Sequence, residues 1–309
     1  MSMTVSKNYD VVIIGGGPAG LTAGLYSARD RLSSLLIERG LIGGLINEAD
    51  KVDNYPGFPE GVSGTELTRL MHQQATKYGL ETIYTDVTAL EADGESRVVK
   101  TARDSFAARA VIIAGGSERQ KLSIPGEKEF TGKGVSYCAT CDAPFFNGKT
   151  VAVVGGGNAA VYEALHLAKF AAKVYLIHRR DQLRATTIVQ EKAFAEPKIE
   201  ILWNTTVEVI EGSNLVESLT LKQVKDNQRS TLKLNGVFMA IGLKPNTGFL
   251  KGMLPLDKSG AIIVNERMET GKPGIFAAGD IRSNSIRQVA SAAGDGATAA
   301  FYAKNFIEA

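Results

Sequence analysis

Cys138 and Cys141 are the only cysteines among 309 residues, and two residues lie between them. A Cys-x-x-Cys pair can close a disulfide and, once reduced, attack another disulfide as a thiolate. A zinc site would need two more soft ligands. The chain offers only His72, His166 and His178, of which His166 falls in a helical stretch and His178 at a second candidate site. The pair therefore reads as a redox centre, with no metal. A structural staple is disfavoured in a compartment that keeps thiols reduced. Asp142 follows directly. It reads either as a shuttle for the proton that thiolate chemistry moves, or as a helix-capping carboxylate.

Two glycine-rich turns form the other candidate chemistry. Gly15-x-Gly17-x-x-Gly20 follows the apolar run Tyr9–Ile14 and opens an Ala/Leu-rich helical stretch, Leu21–Ala28. A second apolar run, Ser34–Ile37, ends in Glu38. The whole unit recurs 140 positions on, with Gly155, Gly157, Ala160 and His178 in the matching places. There Thr150–Val154 leads in, a helix is expected to about Lys169, and Lys173–Ile177 leads to His178. In such a unit the first glycine allows the tight turn and the second lets a pyrophosphate approach the backbone. The third lets helix and strand pack, and the helix N-terminus supplies N–H donors. Two copies in the strand–turn–helix context predict two dinucleotide sites.

The copies differ where the ribose should lie. Glu38 can accept from free 2′ and 3′ hydroxyls, which suits FAD or NAD. His178-Arg179-Arg180, with Arg184 four residues on, would instead attract a 2′-phosphate, which suits NADP. The alternative is an exposed charge run. Gly279-Asp280, after the apolar Gly274–Ala278, suits a polyol chain or a simple turn cap.

These sites need parallel strands to hold them. Apolar segments at Ala110–Ala114, Gly236–Ile241 and Gly274–Ala278 read as further buried strands. Ser96–Thr101 and Leu215–Lys222 read as parts of small antiparallel sheets. Ser285–Ile307 is Ala-rich and long enough for a helix. The expected fold class is α/β, with two Rossmann-like nucleotide-binding domains of three-layer ββα type, the second inserted into the first. Residues 1–117 and 247–309 form the expected FAD-binding domain. Residues 118–246 form the NADPH-binding domain, which also carries the cysteine pair. Linkers are expected at Gly116-Ser117-Glu118 and Leu243-Lys244-Pro245-Asn246.

Composition agrees with a folded globular protein of this size. Hydrophobic residues make up 44% and charged residues 22%, which excludes wholesale disorder. Lys+Arg 35 against Asp+Glu 33 leaves +2, with no basic footprint for nucleic acid. No run is long enough to span a membrane, and MSMTVSKNYD carries no apolar signal core, so a cytoplasmic protein is expected.

Taken together, these residues resemble the bacterial low-molecular-weight thioredoxin reductases. The resemblance extends to Gly43-Gly44-Leu45, Asn54-Tyr55-Pro56-Gly57-Phe58, Pro245-Asn246 and Arg287-Gln288-Val289-Ala290. It implies a flavoprotein homodimer in which electrons pass from NADPH to FAD, to the Cys138–Cys141 disulfide, and on to thioredoxin or a thioredoxin-like protein. The cysteine pair and the Gly155–Arg184 nucleotide site lie on the same insert and must both exchange electrons with one flavin of the other domain, so the insert is expected to rotate about the two linkers between half-reactions. On this resemblance the FAD site comprises Gly15, Gly17, Gly20, Glu38, Gly43, Gly44, Leu45, Asn54, Gly279, Asp280, Arg287, Gln288 and Val289. The NADPH site comprises Gly155, Gly157, Asn158, Ala160, His178, Arg179, Arg180 and Arg184. The resemblance makes Phe145-Phe146 a contact for thioredoxin, and a core-packing pair is the alternative. Leu45-Ile46-Asn47 and Asp142-Ala143-Pro144 depart from the family pattern.

Other readings are a flavin-dependent reductase of a peroxiredoxin, a ferredoxin-NADP reductase and a non-enzymatic dinucleotide-binding redox sensor. About eight residues precede the first strand and no second cysteine pair exists, which counts against the first. The cysteine pair counts against the second.

Overall fold

A computed structural model describes residues 7–49, 51–52, 54–93 and 96–309. Residues 1–6, part of the stretch read as lacking a signal core, lie outside the described residues. The chain divides into two compact units, Met1–Glu118 with Lys244–Ala309, and Arg119–Leu243.

The first unit begins with β1 (Lys7–Ile14), α1 (Pro18–Arg29), β2 (Ser34–Glu38), α2 (Gly64–Thr76) and β3 (Glu81–Tyr84). It continues with β4 (Val87–Asp93), β5 (Ser96–Thr101) and β6 (Ser105–Ile113). After β7 (Ser117–Arg119) come β8 (Val135–Ser136), α3 (Ala139–Asp142), β9 (Thr150–Gly155), α4 (Asn158–Ala168) and β10 (Lys173–Ile177). Then follow α5 (Thr187–Ala195), β11 (Ile199–Leu202), β12 (Thr205–Gly212), β13 (Val216–Gln223), β14 (Arg229–Lys233) and β15 (Gly236–Ala240). The chain returns through β16 (Leu243–Pro245) and ends with β17 (Ile275–Ala277) and α6 (Val289–Glu308). Strands β7 and β16 pair as a two-stranded sheet.

In the first unit β3-β2-β1-β6 run parallel, and β17 joins β6 in the same direction. Successive strand residues face opposite ways. Val11, Ile13 and Ile112 pack against Ala23 of α1 and Ala299 and Ala303 of α6. Val12, Ile14 and Val111 face Leu250, Leu254 and Ile262 on the other side. The apolar run of β1 is continuous because both its faces are buried. Small residues let α1 and α6 come close: a Cβ on Gly296 would lie 2.1 Å from the Ala19 carbonyl oxygen.

The second unit repeats the plan. Its parallel sheet runs β11-β10-β9-β15-β8. Val151, Val153 and Leu176 pack with Val161, Ala164 and Leu167 of α4. Ala152, Val154 and Val237 pack with Val207, Leu219 and Leu221 of the antiparallel β12-β13-β14 sheet. The expected sheet around Leu215–Lys222 is therefore present.

The expectation of a separate sheet around Ser96–Thr101 is corrected. Strands β4 and β5 extend the main sheet, because β5 pairs antiparallel with β6. The cause is the length of β6. One edge pairs with β1 along most of its length, while the other is shared between β5 at Ser105–Ala108 and β17 at Val111–Ile113.

Helix α4 also carries a half-buried acid. Oε2 of Glu163 is buried with no hydrogen-bond partner. Burial pushes its carboxyl from 4.5 up to about 7, with the Arg119 charge pulling the other way. A carboxyl raised in the folded state contributes stability that is full below its unfolded value and is lost as the pH rises through the folded one. Glu163→Gln, neutral at every pH, should match the wild type in denaturant titrations near pH 4.5. By pH 8 it should be the more stable by about 1–3 kcal/mol. A pH-independent difference would contradict the assignment.

Candidate active site

The first glycine turn is shaped by contact. Gly15 has φ +107°, and a Cβ there would lie 2.4 Å from the Ala114 carbonyl oxygen. A Cβ on Gly20 would lie 1.9 Å from the Gly15 oxygen. Gly17 is different, since the nearest atom to a Cβ there is the Gly43 oxygen at 3.9 Å. Gly17 caps α1 with no side-chain hydrogen bond, and Pro18 opens the helix without an N–H to satisfy. The α1 N-terminus therefore carries uncapped backbone donors beside open space.

The other first-unit residues named from sequence gather around this turn. Gly43 donates its N–H to the Gly16 carbonyl at 2.8 Å, and Gly44 faces the Gly17 Cα. Glu38 accepts from the N–H of Gly16 at 2.6 Å and of Gly40 at 2.8 Å. Each of its oxygens keeps a further lone pair. Gly279 packs against Ala19 at the start of α1. Asp280 follows it and accepts from the Ser285 hydroxyl at 2.9 Å. Burial pushes its carboxyl up, opposed by that hydroxyl. Asn54 and Gln288, 234 positions apart, are hydrogen-bonded at 3.0 Å. Leu45 lies in the 3-10 turn Gly44–Glu48, and Val289 is the first residue of α6. The Arg287 side chain is exposed, on a residue with φ +62°.

Two supports of this region were not read from the sequence. Asn47 accepts from Thr68 at 2.8 Å and donates to the Ile42 carbonyl at 2.7 Å, which fixes the Gly43 turn. Asp295, inside α6, accepts from the Gly279 N–H at 3.0 Å and forms two bonds with Arg282, at 2.6 and 2.8 Å. An Asp inside an Ala-rich helix was the available signal, because a carboxylate there needs a partner.

In the second unit Gly155 lies 2.4 Å, measured from a Cβ position, from the Ala240 oxygen and 2.6 Å from the Ala160 Cβ. Gly157 has nothing within 4 Å, and it caps α4 without a side-chain hydrogen bond. His178 is buried, with Nε2 3.0 Å from the Gln182 carbonyl oxygen and its ring beneath Gly156. Burial lowers its pKa, partly offset by that carbonyl. The exposed cations at this corner are thus Arg179, Arg180 and Arg184. Arg184 donates its N–H to the Gly156 carbonyl at 2.6 Å, and Asn158 Oδ1 accepts from the Thr186 N–H at 2.8 Å. These bonds hold the arginine-bearing loop against the glycine turn.

Cys138 and Cys141 form a disulfide with Cα atoms 5.3 Å apart. Cys138 caps the single turn α3, and its carbonyl accepts from the N–H groups of Cys141 and Asp142. Asp142 accepts from the Ser136 hydroxyl at 2.6 Å, and that hydroxyl accepts from the Cys138 N–H at 3.1 Å. Ser136 was missed, because a serine two residues before a cysteine has no signature of its own. Phe145 and Phe146 separate: Phe145 is 59% exposed, whereas Phe146 is buried edge-on against Phe238. Among the described residues no group of His, Cys, Asp and Glu could hold a metal ion. No described helix is long and apolar enough to cross a membrane.

A family model described as pyridine nucleotide-disulphide oxidoreductase matches residues 9–296. The chain is 47% identical over 307 residues to a thioredoxin reductase of Bacillus subtilis (strain 168), spanning 99% of this chain and 97% of that protein. It is 44% identical over 307 residues to one from Peptoclostridium acidaminophilum, spanning 97% and 98%. The solved thioredoxin reductase of Streptococcus pyogenes MGAS5005 is 43% identical with a TM-score of 0.90, covering 97% of this chain and 98% of that one. The Lactococcus lactis enzyme in its FR conformation is 42% identical with a TM-score of 0.70, covering 97% and 99%. With matches of this identity and length, the chain belongs to the pyridine nucleotide-disulphide oxidoreductase family, alongside the thioredoxin reductases.

Proposed function

We propose that this chain is an NADPH-dependent thioredoxin-disulfide reductase acting through FAD and the Cys138–Cys141 pair. The observation that carries this reading is the closed disulfide between the chain's only two cysteines, in a family that reduces disulfides.

Both glycine turns fit a dinucleotide. A Cβ at Gly157 would point into free space and one at Gly17 would meet nothing nearer than the Gly43 oxygen at 3.9 Å, so at both turns a pyrophosphate can approach uncapped helix N–H groups. The first unit would hold FAD, with Glu38 on the ribose, Gly43, Gly44 and Leu45 lining the turn, and Asp280 on the polyol. Asn54, Arg287, Gln288 and Val289 would close the far side. The second would hold NADPH at Gly155, Gly157, Asn158 and Ala160, with Arg179, Arg180 and Arg184 on the 2′-phosphate and His178 packed beneath the turn. When bound, FAD would take a hydride from NADPH and return two electrons to the disulfide.

The reduced pair would then attack the disulfide of thioredoxin. One cysteine sulfur forms a mixed disulfide, the other resolves it, and Asp142 moves a proton between the sulfurs. Exposed Phe145, close to α3, suits a contact with thioredoxin, whereas buried Phe146 suits packing. A homodimer in the cytoplasm completes the reading. Rotation of the second unit about the short crossings near Gly116-Ser117 and Lys244-Pro245-Asn246 would let one flavin serve both partners.

Cys138→Ser and Cys141→Ser should each abolish NADPH-dependent thioredoxin reduction in a coupled disulfide assay, and near wild-type turnover by either would overturn the reading. The double change Arg179→Ala, Arg180→Ala should raise the KM for NADPH roughly ten- to a hundredfold while sparing NADH use. Equal losses with both cofactors would make those arginines structural.

A further inference from the structure

Ser136 ends β8, the edge strand next to β15, and is 6% exposed. Its hydroxyl lies between two groups of the redox turn. It accepts the Cys138 N–H at 3.1 Å and donates to Asp142 Oδ2 at 2.6 Å. A serine hydroxyl has a single proton. With the amide occupying a lone pair, that proton is directed at the carboxylate. The same turn is held from within, because the Cys141 N–H points at the Cys138 sulfur, 3.2 Å away. Asp142 is thereby tied to the backbone of the cysteine whose sulfur takes part in exchange.

We propose that Ser136 is a positioning residue for proton transfer at the disulfide, holding the Asp142 carboxylate in its ionised form against the Cys138 backbone. This rests on the reading of Asp142 as the proton carrier of a thioredoxin reductase. In the exchange the cysteine pair loses two electrons and two protons, and the thioredoxin disulfide gains both. One cysteine S–H gives its proton to the Asp142 carboxylate. The thiolate attacks and forms the mixed disulfide, and the departing thioredoxin sulfur takes that proton back from Asp142. The second cysteine sulfur then closes the Cys138–Cys141 bond. It loses its proton as the second thioredoxin sulfur gains one. Ser136 neither gains nor loses a proton. A donor to the charged carboxylate favours that form, so removing the hydroxyl makes Asp142 easier to protonate and a weaker acceptor at low pH.

Other titratable groups lie nearby. Helix α4, packed against α3, carries Tyr162, Glu163 and His166, with Lys169 just beyond its end. The 3-10 turn Ala143–Phe146 carries none. Tyr137, next to Ser136, donates to Glu127 at 3.0 Å beneath Arg119. All of them are retained when Ser136 is changed, so comparison of variants isolates the hydroxyl.

The test measures kcat and KM for thioredoxin in the holoenzyme from about pH 5 to about pH 9, for wild type, Ser136→Ala, Ser136→Thr and Asp142→Asn. In Ser136→Ala the acidic limb of kcat should move up by about one pH unit, with a loss that grows to roughly tenfold at the acid end of the limb and fades above it, and with KM unchanged. Ser136→Thr restores the hydroxyl on a β-strand position that suits a branched residue, and should restore the limb. In an Asp142→Asn background, Ser136→Ala should cost nothing further. An unmoved limb, equal losses in the Ala and Thr variants, or a full additional loss on Asp142→Asn would overturn the proposal. If wild-type holoenzyme fails to reduce thioredoxin at any pH, the functional reading itself fails and takes the proposal with it.

Discussion

The arrangement depends on how closely a strand end and a helix start can approach. In the first unit, the Gly15 oxygen would lie 1.9 Å from a Cβ on residue 20, and in the second a Cβ on Gly155 would meet the Ala160 Cβ of α4 at 2.6 Å. Any larger residue at these points would push the helix away from the sheet. The contact places the first turns of α1 and α4 directly over the strand ends, with their N–H groups uncapped. Everything else in each site is hung on that turn. Gly43 and Glu38 bond to Gly16, and Arg184 bonds to Gly156.

The same constraint, met twice, allows two different corners. In the first unit a carboxylate receives two backbone N–H groups and remains at the turn. In the second, the matching position holds an imidazole whose pKa burial lowers, and the exposed charges at the corner are arginines. A single residue at the end of the second strand thus redirects the electrostatics of the unit. The strands leading to the two positions are alike, with Leu36 and Ile37 buried in the first unit and Leu176 and Ile177 in the second.

Much of this was legible in the sequence because parallel strands buried on both faces leave continuous apolar runs. Tyr9–Ile14, Thr150–Val154 and Lys173–Ile177 all become strands, and the 140-residue repeat gave the sites their context. Less was legible where pairing is decided at a distance. The association of β5 with β6 follows from the length of β6 and not from any local pattern in Ser96–Thr101. The two-residue β8 is too short to show a period, so Ser136 passed unnoticed. Asp295 and Asn47 hold the first site through bonds to the Gly279 N–H and to Thr68, side-chain geometry that no spacing rule encodes. The His178 ring was assigned to the phosphate corner, but its burial under Gly156 depends on the packing of the whole turn.

The chemistry converges on two sulfurs that the chain does not duplicate elsewhere, which makes their oxidation state countable. The most direct measurement titrates thiols in the denatured holoenzyme before and after anaerobic treatment with excess NADPH, and again after an excess of oxidised thioredoxin. The account predicts no thiols, then two per chain, then none, with stoichiometric appearance of reduced thioredoxin. NADPH consumption with no thiols appearing, or two thiols that persist in the presence of oxidised thioredoxin, would contradict it.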